Sequence, residues 1–264
     1  MFDPTPVIDD LRDEGEELDR LVAELKAEQW SLATPAPRWT IAHQIAHLHW
    51  TDHAALIAVT DEDGAHALTE KVLAAPGSFA DEGAEEGAQL PPGELLSRWR
   101  EGRAALDRAL QDAVPGSRFP WFGLYLSVGY MATGRLMETW AHAQDVVDAL
   151  GAVRTPTDRL KHVVGLGVRA RDLGFMAHGL VAPTEVFRVE VTGPAGELWT
   201  YGPEDAPQRV TGPALDFCLL VTQRAHRADL ALCAEGRDAD RWLDIAQAFA
   251  GPSGRGRPPR EAAE

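Results

Sequence analysis

Two short runs concentrate the side chains that could do chemistry. One is Glu138-Thr139-Trp140-Ala141-His142, inside the apolar segment Leu136 to Leu150; the other is His43-Gln44-Ile45-Ala46-His47, far upstream. Residues four apart on a helix lie one turn above each other, so the Glu138 carboxylate and the His142 imidazole can converge on one point. Imidazole nitrogen and carboxylate oxygen suit a borderline divalent cation, and a third ligand from a neighbouring helix leaves a coordination position for water or substrate. His43 and His47 make one helical pair, in a stripe with Trp50, Ala54 and Ile57, and His49 and His53 make another on a different side. Spacing leaves both pairs open. For each histidine the bland alternative is a ring satisfied by a backbone or water contact.

The helix carrying Glu138 has two faces. Leu136, Trp140, Ala143 and Val147 cluster on one side, and Arg135, Glu138, His142 and Asp145 on the other. The polar stripe is either a solvated face with local ion pairs or a face turned inward, with Arg135 or Asp145 supporting the ligands. Periodicity does not choose between them.

The elements that must position these residues are helices. Thr5-Pro6 starts one that Val7, Leu11, Leu18, Leu21, Val22 and Leu25 extend to about Trp30. Leu32 to Pro37 reads as a proline-broken loop, and Thr40 caps a second helix running to about Thr60. A short helix is expected around Leu68 to Ala74. The Gly-, Pro-, Ala- and Glu-rich stretch from Pro76 to Gly93 reads as an exposed loop. Glu94 to Val114 and Met131 to Leu150 are the remaining long helices, the second ending at Gly151. Between them, Phe119-Pro120-Trp121-Phe122-Gly123 reads as an aromatic turn that packs under the bundle or lines a pocket. Four such helices suggest a bundle, in which ligand sites are built from facing helices.

Beyond Arg154 the pattern changes. Leu160 to Leu180 is expected to be helical, and Val186 to Val191 and Glu197 to Tyr201 alternate around Gly193-Pro194-Ala195-Gly196 as a hairpin. Leu215 to Arg224 reads as a helix, Asp229 to Cys233 as a strand and Arg237 to Phe249 as a last helix. The fold expected is therefore mainly α: a four-helix bundle over residues 1–154, a small α+β domain over 155–251, and a disordered tail over 252–264.

Composition excludes several roles. With 25 Lys and Arg against 41 Asp and Glu, the net charge of -16 opposes nucleic acid and anionic membrane surfaces. The acidic start Met1-Phe2-Asp3-Pro4 lacks the basic and apolar regions of a signal peptide, and no apolar run reaches the roughly 18 residues of a membrane span. Cys218 and Cys233 sit in apolar surroundings and read as buried free thiols of a cytoplasmic protein.

Trp39-Thr40-Ile41-Ala42-His43-Gln44-Ile45-Ala46-His47-Leu48 and Met137-Glu138-Thr139-Trp140-Ala141-His142 resemble the two metal-binding signatures of the mycothiol-dependent maleylpyruvate isomerase family, part of the DinB-like group of four-helix bundles. The resemblance implies that His47, Glu138 and His142 hold a divalent metal, usually zinc, with water in the open position. It also implies a sterol-carrier-like second domain, in which Arg224, with Arg227 as its rival, stands near a substrate carboxylate; Gln223 stands where the family often has Gly. The run from Trp199 through Val210-Thr211-Gly212-Pro213 to Ala246-Gln247-Ala248-Phe249-Ala250-Gly251-Pro252 resembles an actinobacterial subgroup named mainly for metal binding.

The resemblance, together with metal chemistry, then implies a function. A low-molecular-weight thiol such as mycothiol would bind as thiolate and attack a small electrophile, giving isomerisation or S-transfer. The same three ligands serve a hydrolase that uses hydroxide, an iron oxygenase, or a metal-bearing sensor without catalysis. The expected partners are a small-molecule substrate and the thiol, with the chain a monomer or homodimer.

Overall fold

The structure is a computed structural model that describes residues 3–74, 79–249, 251, 253, 254 and 256–260. The chain forms two compact units, Met1–Val153 and Arg154–Glu264.

The first unit is built from four long helices, α1 (Thr5–Ala23), α2 (Ile41–Thr60), α5 (Pro92–Asp112) and α6 (Val128–Leu150), with two shorter ones, α3 (Glu62–Ala74) and α4 (Phe79–Ala88), between α2 and α5. α2 packs against α5, α4 and α6, and α1 closes the bundle against α6 and α5. Leu18, Val22, Ile41, Ile45, Leu48, Leu95, Trp99 and Val146 meet in its core. Burying each such aliphatic side chain stabilises by about 1.5–3 kcal/mol. That is why the apolar stripes, rather than intrinsic propensity, hold these helices in place.

The helix ends follow local chemistry. Thr40 is extended and caps α2, and Ser127 caps α6, its hydroxyl accepting from Tyr130 N. Gly151 ends α6 at φ 61°, a conformation that glycine adopts without steric cost. The first helix is shorter than its periodicity suggests: it stops at Ala23, and a separate 3₁₀ turn covers Ala27–Ser31. There Gln29 takes the Lys26 N–H on its own side chain (2.9 Å), satisfying locally what a continuous helix would have satisfied along its axis.

The expected loop from Pro76 to Gly93 instead contains α4; residues 75–78 lie outside the described residues. Its glycines, which read as loop residues in sequence, are contact residues. A Cβ on Gly83 would come within 2.9 Å of Trp50, and one on Gly87 within 2.7 Å of Ala46. Only glycine lets α4 lie this close to α2.

The aromatic turn is likewise a hairpin, β1 (Arg118–Trp121) against β2 (Leu124–Ser127). Phe122 and Gly123, both at positive φ, make its two-residue turn. Phenylalanine is foreign to the first position of such a turn, which hid the signal. The ring packs: Phe122 stacks on Trp50 at 6.5 Å with planes 5° apart, and touches Trp121 at 4.5 Å.

Asp19 ties α1 to α5. Its carboxylate accepts from Arg100 Nε (2.8 Å) and from Arg103 Nη2 (2.6 Å). Burial pushes the Asp19 pKa up, but the hydrogen bonds from Arg100 and Arg103 and their charges outweigh it and hold the group below its usual value. A depressed folded pKa contributes stability above the unfolded value of about 3.9, and that contribution is lost as pH falls through the folded pKa. Urea midpoints of wild type and Asp19→Asn should therefore differ at pH 6 and converge below about pH 4; a constant gap would deny Asp19 this role.

The second unit pairs a mixed sheet with helices. The strand order is β4 (Leu198–Tyr201), β3 (Phe187–Thr192), β5 (Gln208–Pro213), β6 (Cys233–Glu235), with β3 and β5 parallel and the outer pairs antiparallel. The hairpin is as expected. β5 went unread because its only fully buried aliphatic is Val210 and it ends in Gly212-Pro213. The expected strand at Asp229 to Cys233 begins only at Cys233, because Arg227–Asp229 is a 3₁₀ turn capped by the His226 ring. Cys233 is therefore exposed on an edge strand, a correction to the buried thiol expected; Cys218 is buried, which raises its pKa well above the usual value.

The helix expected over Leu160 to Leu180 divides at Ala170 into α7 (Leu160–Arg169) and α8 (Arg171–Ala177). α9 (Ala214–Val221) and α10 (Arg237–Ile245) complete the unit. Trp242 of α10 meets Phe187 and Phe217 edge-on, each at 5.7 Å. Of the tail expected to be disordered, Pro252, Arg255 and residues 261–264 lie outside the described residues, and Arg260 N donates to Asp229.

Candidate metal centre

α2 and α6 run side by side and bring the two sequence runs together. His47 Nε2 lies 3.4 Å from Glu138 Oε2, and His142 Nε2 lies 3.2 Å from that same oxygen. One donor atom from each of the three residues falls within 4.8 Å of the others. Ligands of a tetrahedral zinc ion at about 2.1 Å stand roughly 3.4 Å apart, which the two histidine-to-carboxylate separations match. Both imidazoles are buried, while the Glu138 side chain keeps 23% exposure and marks the solvent side.

Hydrogen bonding sharpens the fit. The other nitrogen of His142, Nδ1, is 2.5 Å from Gln44 Oε1, an atom that can only accept. With the proton on Nδ1, Nε2 of the neutral ring presents a lone pair to a carboxylate oxygen 3.2 Å away. Two acceptors stay at that distance only with a positive charge, a cation or a proton, between them. Two nitrogens and one oxygen suit a divalent ion such as zinc or iron. Burial alone would raise the Glu138 pKa, but with their Nε2 atoms protonated the His142 and His47 imidazoles more than offset it, by hydrogen bonds and by charge, and hold the carboxyl well below the usual range; a cation in the protons' place acts in the same direction. The carboxylate form that a cation requires is thus favoured.

Trp39 forms the adjoining wall. Its ring lies 5.2 Å from that of His47 and 5.8 Å from that of His142, the latter nearly parallel at 23°. Asp81 of α4 holds the indole by accepting from Trp39 Nε1 (3.1 Å), and it also accepts from Arg38 Nη2.

The remaining candidates separate. His43 does not join the cluster: its Nδ1 meets Thr40 Oγ1 at 2.8 Å and its Nε2 meets Glu85 at 3.0 Å. His49 packs over Gly102 of α5, burial lowers its pKa, and His53 is exposed. The polar stripe of α6 faces inward, since Arg135, His142 and Asp145 are all buried. Arg135 serves Asp52 rather than the ligands directly. It donates from Nε to Asp52 Oδ1 (2.9 Å) and from Nη2 to Thr51 Oγ1 (2.6 Å), and Thr51 in turn donates to the carbonyl of His47. Trp99 Nε1 completes the carboxylate's partners at 3.2 Å. This brace joins α2 to α6 one turn from the ligands. Asp145 Oδ2 stands 4.0 Å from His142 Nδ1.

Gln44, Thr34 and the Asp52–Arg135 pair were missed in sequence, because a glutamine between two histidines carries no spacing signal of its own. A cavity of about 250 Å³ between α1 and α5 reaches Asp52 and Thr139, but His47, Glu138 and His142 do not line it. Arg224 belongs to the second unit, where its Nη1 donates to the Thr222 carbonyl. The preceding Gln223 sits at φ 58° just past the end of α9, a position where glycine is unstrained.

Comparison with known proteins follows the same division. Residues 11–147 match the family model of the mycothiol maleylpyruvate isomerase N-terminal domain, and residues 183–235 match a model described as wyosine base formation. Two uncharacterized proteins from two strains of Mycobacterium tuberculosis are each 54% identical over 257 residues, 97% of this chain and the whole of theirs. Crystal structures of the mycothiol-dependent maleylpyruvate isomerase and of a histidine-to-alanine mutant of it share the fold. Each superposes with a TM-score of 0.62 at 16% identity, over 88% of this chain and 93% of that one. Among the described residues no helix is long and apolar enough to cross a membrane. A bundle spanning most of the first unit, matched as a whole, makes this chain a member of the mycothiol maleylpyruvate isomerase N-terminal domain family.

Proposed function

We propose that this protein is a divalent-metal enzyme of the cytoplasm that uses a low-molecular-weight thiol, mycothiol, to isomerise or S-transfer to a small electrophile. The observation that supports the proposal is the convergence of His47, Glu138 and His142, with both imidazoles at the separation from Glu138 that a tetrahedral site needs and Glu138 partly exposed. Bound there, a zinc ion supplies the positive charge that ionises a thiol, whose free pKa is about 8.5, near neutral pH. The chain contributes the rest. The two imidazoles and the carboxylate would hold the metal beside the partly exposed Glu138, the Trp39 ring packs against both imidazoles, and the Arg135–Asp52–Thr51 brace joins the ligand helices.

Titrating mycothiol into cobalt-substituted protein tests the thiol. A sulfur-to-cobalt charge-transfer band should grow and saturate at one thiol per chain. A protein that binds cobalt but develops no such band would instead be a hydrolase or a metal-bearing binding protein.

The proposal extends to Arg224 as the contact for a substrate carboxylate, a role supported by its place in the family pattern. Arg224→Ala should raise KM for maleylpyruvate by about ten- to a hundredfold, the loss of one charged hydrogen bond, and leave metal content intact. An unchanged KM in steady-state assays would remove Arg224 from the site.

A further inference from the structure

We infer that Gln44 is a positioning residue that sets the tautomer of His142, and that Thr34 in turn sets the orientation of Gln44. The inference rests on the metal reading for its purpose but not for its geometry.

The direction of the chain can be read from its far end. A backbone carbonyl only accepts, so the hydroxyl of Thr34, 2.9 Å from the Trp39 carbonyl, spends its single proton there. The Thr34 oxygen is then left to accept, and the group that meets it at 2.8 Å is the Gln44 amide nitrogen. That orientation turns Gln44 Oε1 toward His142 Nδ1, which must therefore carry a hydrogen. The Nε2 lone pair is left facing Glu138 and His47, where a cation would need it.

A flipped Gln44 would do the opposite. Its NH₂ would face Nδ1, the proton would move to Nε2, and an N–H would point into the triangle. Gln44 has no exposure, so no water competes to correct the error. Thr34 is itself held: its N–H also donates to the Trp39 carbonyl (2.9 Å), and the segment is closed by the Ala33–Thr40 bridge. The proline-broken loop before α2 thus reaches the site twice, through Thr34 by hydrogen bonds and through Trp39 by stacking. His47 is treated differently. Its Nδ1 is buried with no hydrogen-bond partner among the described residues, so nothing on that side sets its tautomer. The two histidines are therefore unequal: both face Glu138 through Nε2, but among the described residues only His142 has a hydrogen-bond partner on Nδ1.

Two measurements on the full chain test this. Long-range ¹H–¹⁵N spectra of metal-free protein above pH 8 report the His142 tautomer, and competition titration reports Co²⁺ affinity. Wild type should show the Nδ1–H form. Gln44→Leu should lose it and bind Co²⁺ about 10–100-fold more weakly, the usual cost of losing such a supporting partner. Gln44→Glu, which keeps an acceptor, should retain both properties. If Gln44→Leu does not fold, Thr34→Val, which removes only the hydroxyl, should weaken Co²⁺ binding while Thr34→Ser does not. An Nε2–H tautomer in wild type, or wild-type affinity in both Gln44→Leu and Thr34→Val, overturns the proposal. A wild type that binds no Co²⁺ but shows the Nδ1–H form, lost in Gln44→Leu, overturns the metal reading and supports the role of Gln44.

Discussion

Replacing either His47 or His142 with alanine is expected to abolish stoichiometric metal. Purified wild type should carry about one divalent ion per chain, and each variant should bind Co²⁺ at least a hundredfold more weakly. Partners that merely support a metal ligand cost about 10–100-fold when removed, so loss of a ligand itself must exceed that range. The folded bundle should survive both changes. Each residue keeps 8% exposure, whereas the core residues Ile41, Ile45 and Leu48 of α2 keep none. His43→Ala is the control: its ring is occupied by Thr40 and Glu85, and its loss should leave metal content unchanged. Elemental analysis giving full metal occupancy in both His47→Ala and His142→Ala would end the assignment of this site.

The largest effect on stability is expected from Arg135→Leu. This change removes the ion-pair partner of the buried Asp52 carboxylate and leaves Trp99 Nε1 as its hydrogen-bond donor among the described residues. Breaking a buried ion pair from one side costs about 3–5 kcal/mol. For a chain of this size that lowers Tm by roughly 10 °C. The double variant Arg135→Leu, Asp52→Leu should recover much of the loss, since an apolar pair of similar volume needs no solvation. Thermal unfolding followed by circular dichroism checks both, and a double variant no more stable than the single one would show that packing, not charge, is at stake. Because Thr51 links this pair to the His47 carbonyl, Arg135→Leu should also weaken metal binding in a way that the double variant does not restore.

Much of the architecture could be read directly because it repeats. Apolar residues three and four apart located α2, α5 and α6 to within a few residues, Thr40 and Gly151 marked their ends, and alternation around Gly193 to Gly196 located the β3–β4 hairpin. The elements that escaped carry misleading local signals. α4 holds glycines needed for close approach to Trp50 and Ala46, the β1–β2 turn has Phe122 where a small residue is usual, and β5 buries Gln208 at a position where a strand ordinarily shows an aliphatic residue. Gln208 is there to serve α10, accepting from the N–H groups of Asp238 and Ala239.

The candidate site divides the same way. Residue type and family pattern named His47, Glu138 and His142, since a helix places residues four apart on one face whatever surrounds it. Whether the polar stripe of α6 met solvent or the core was a tertiary question, answered when α2 packed against α6 and buried Arg135, His142 and Asp145. Bringing Gln44 and Thr34 against His142, and pairing Arg135 with Asp52, also depended on that packing. The physical reason is range: periodicity is written within one turn of helix, whereas a hydrogen bond between residues 98 positions apart, as from His142 to Gln44, exists only once the chain has folded back on itself.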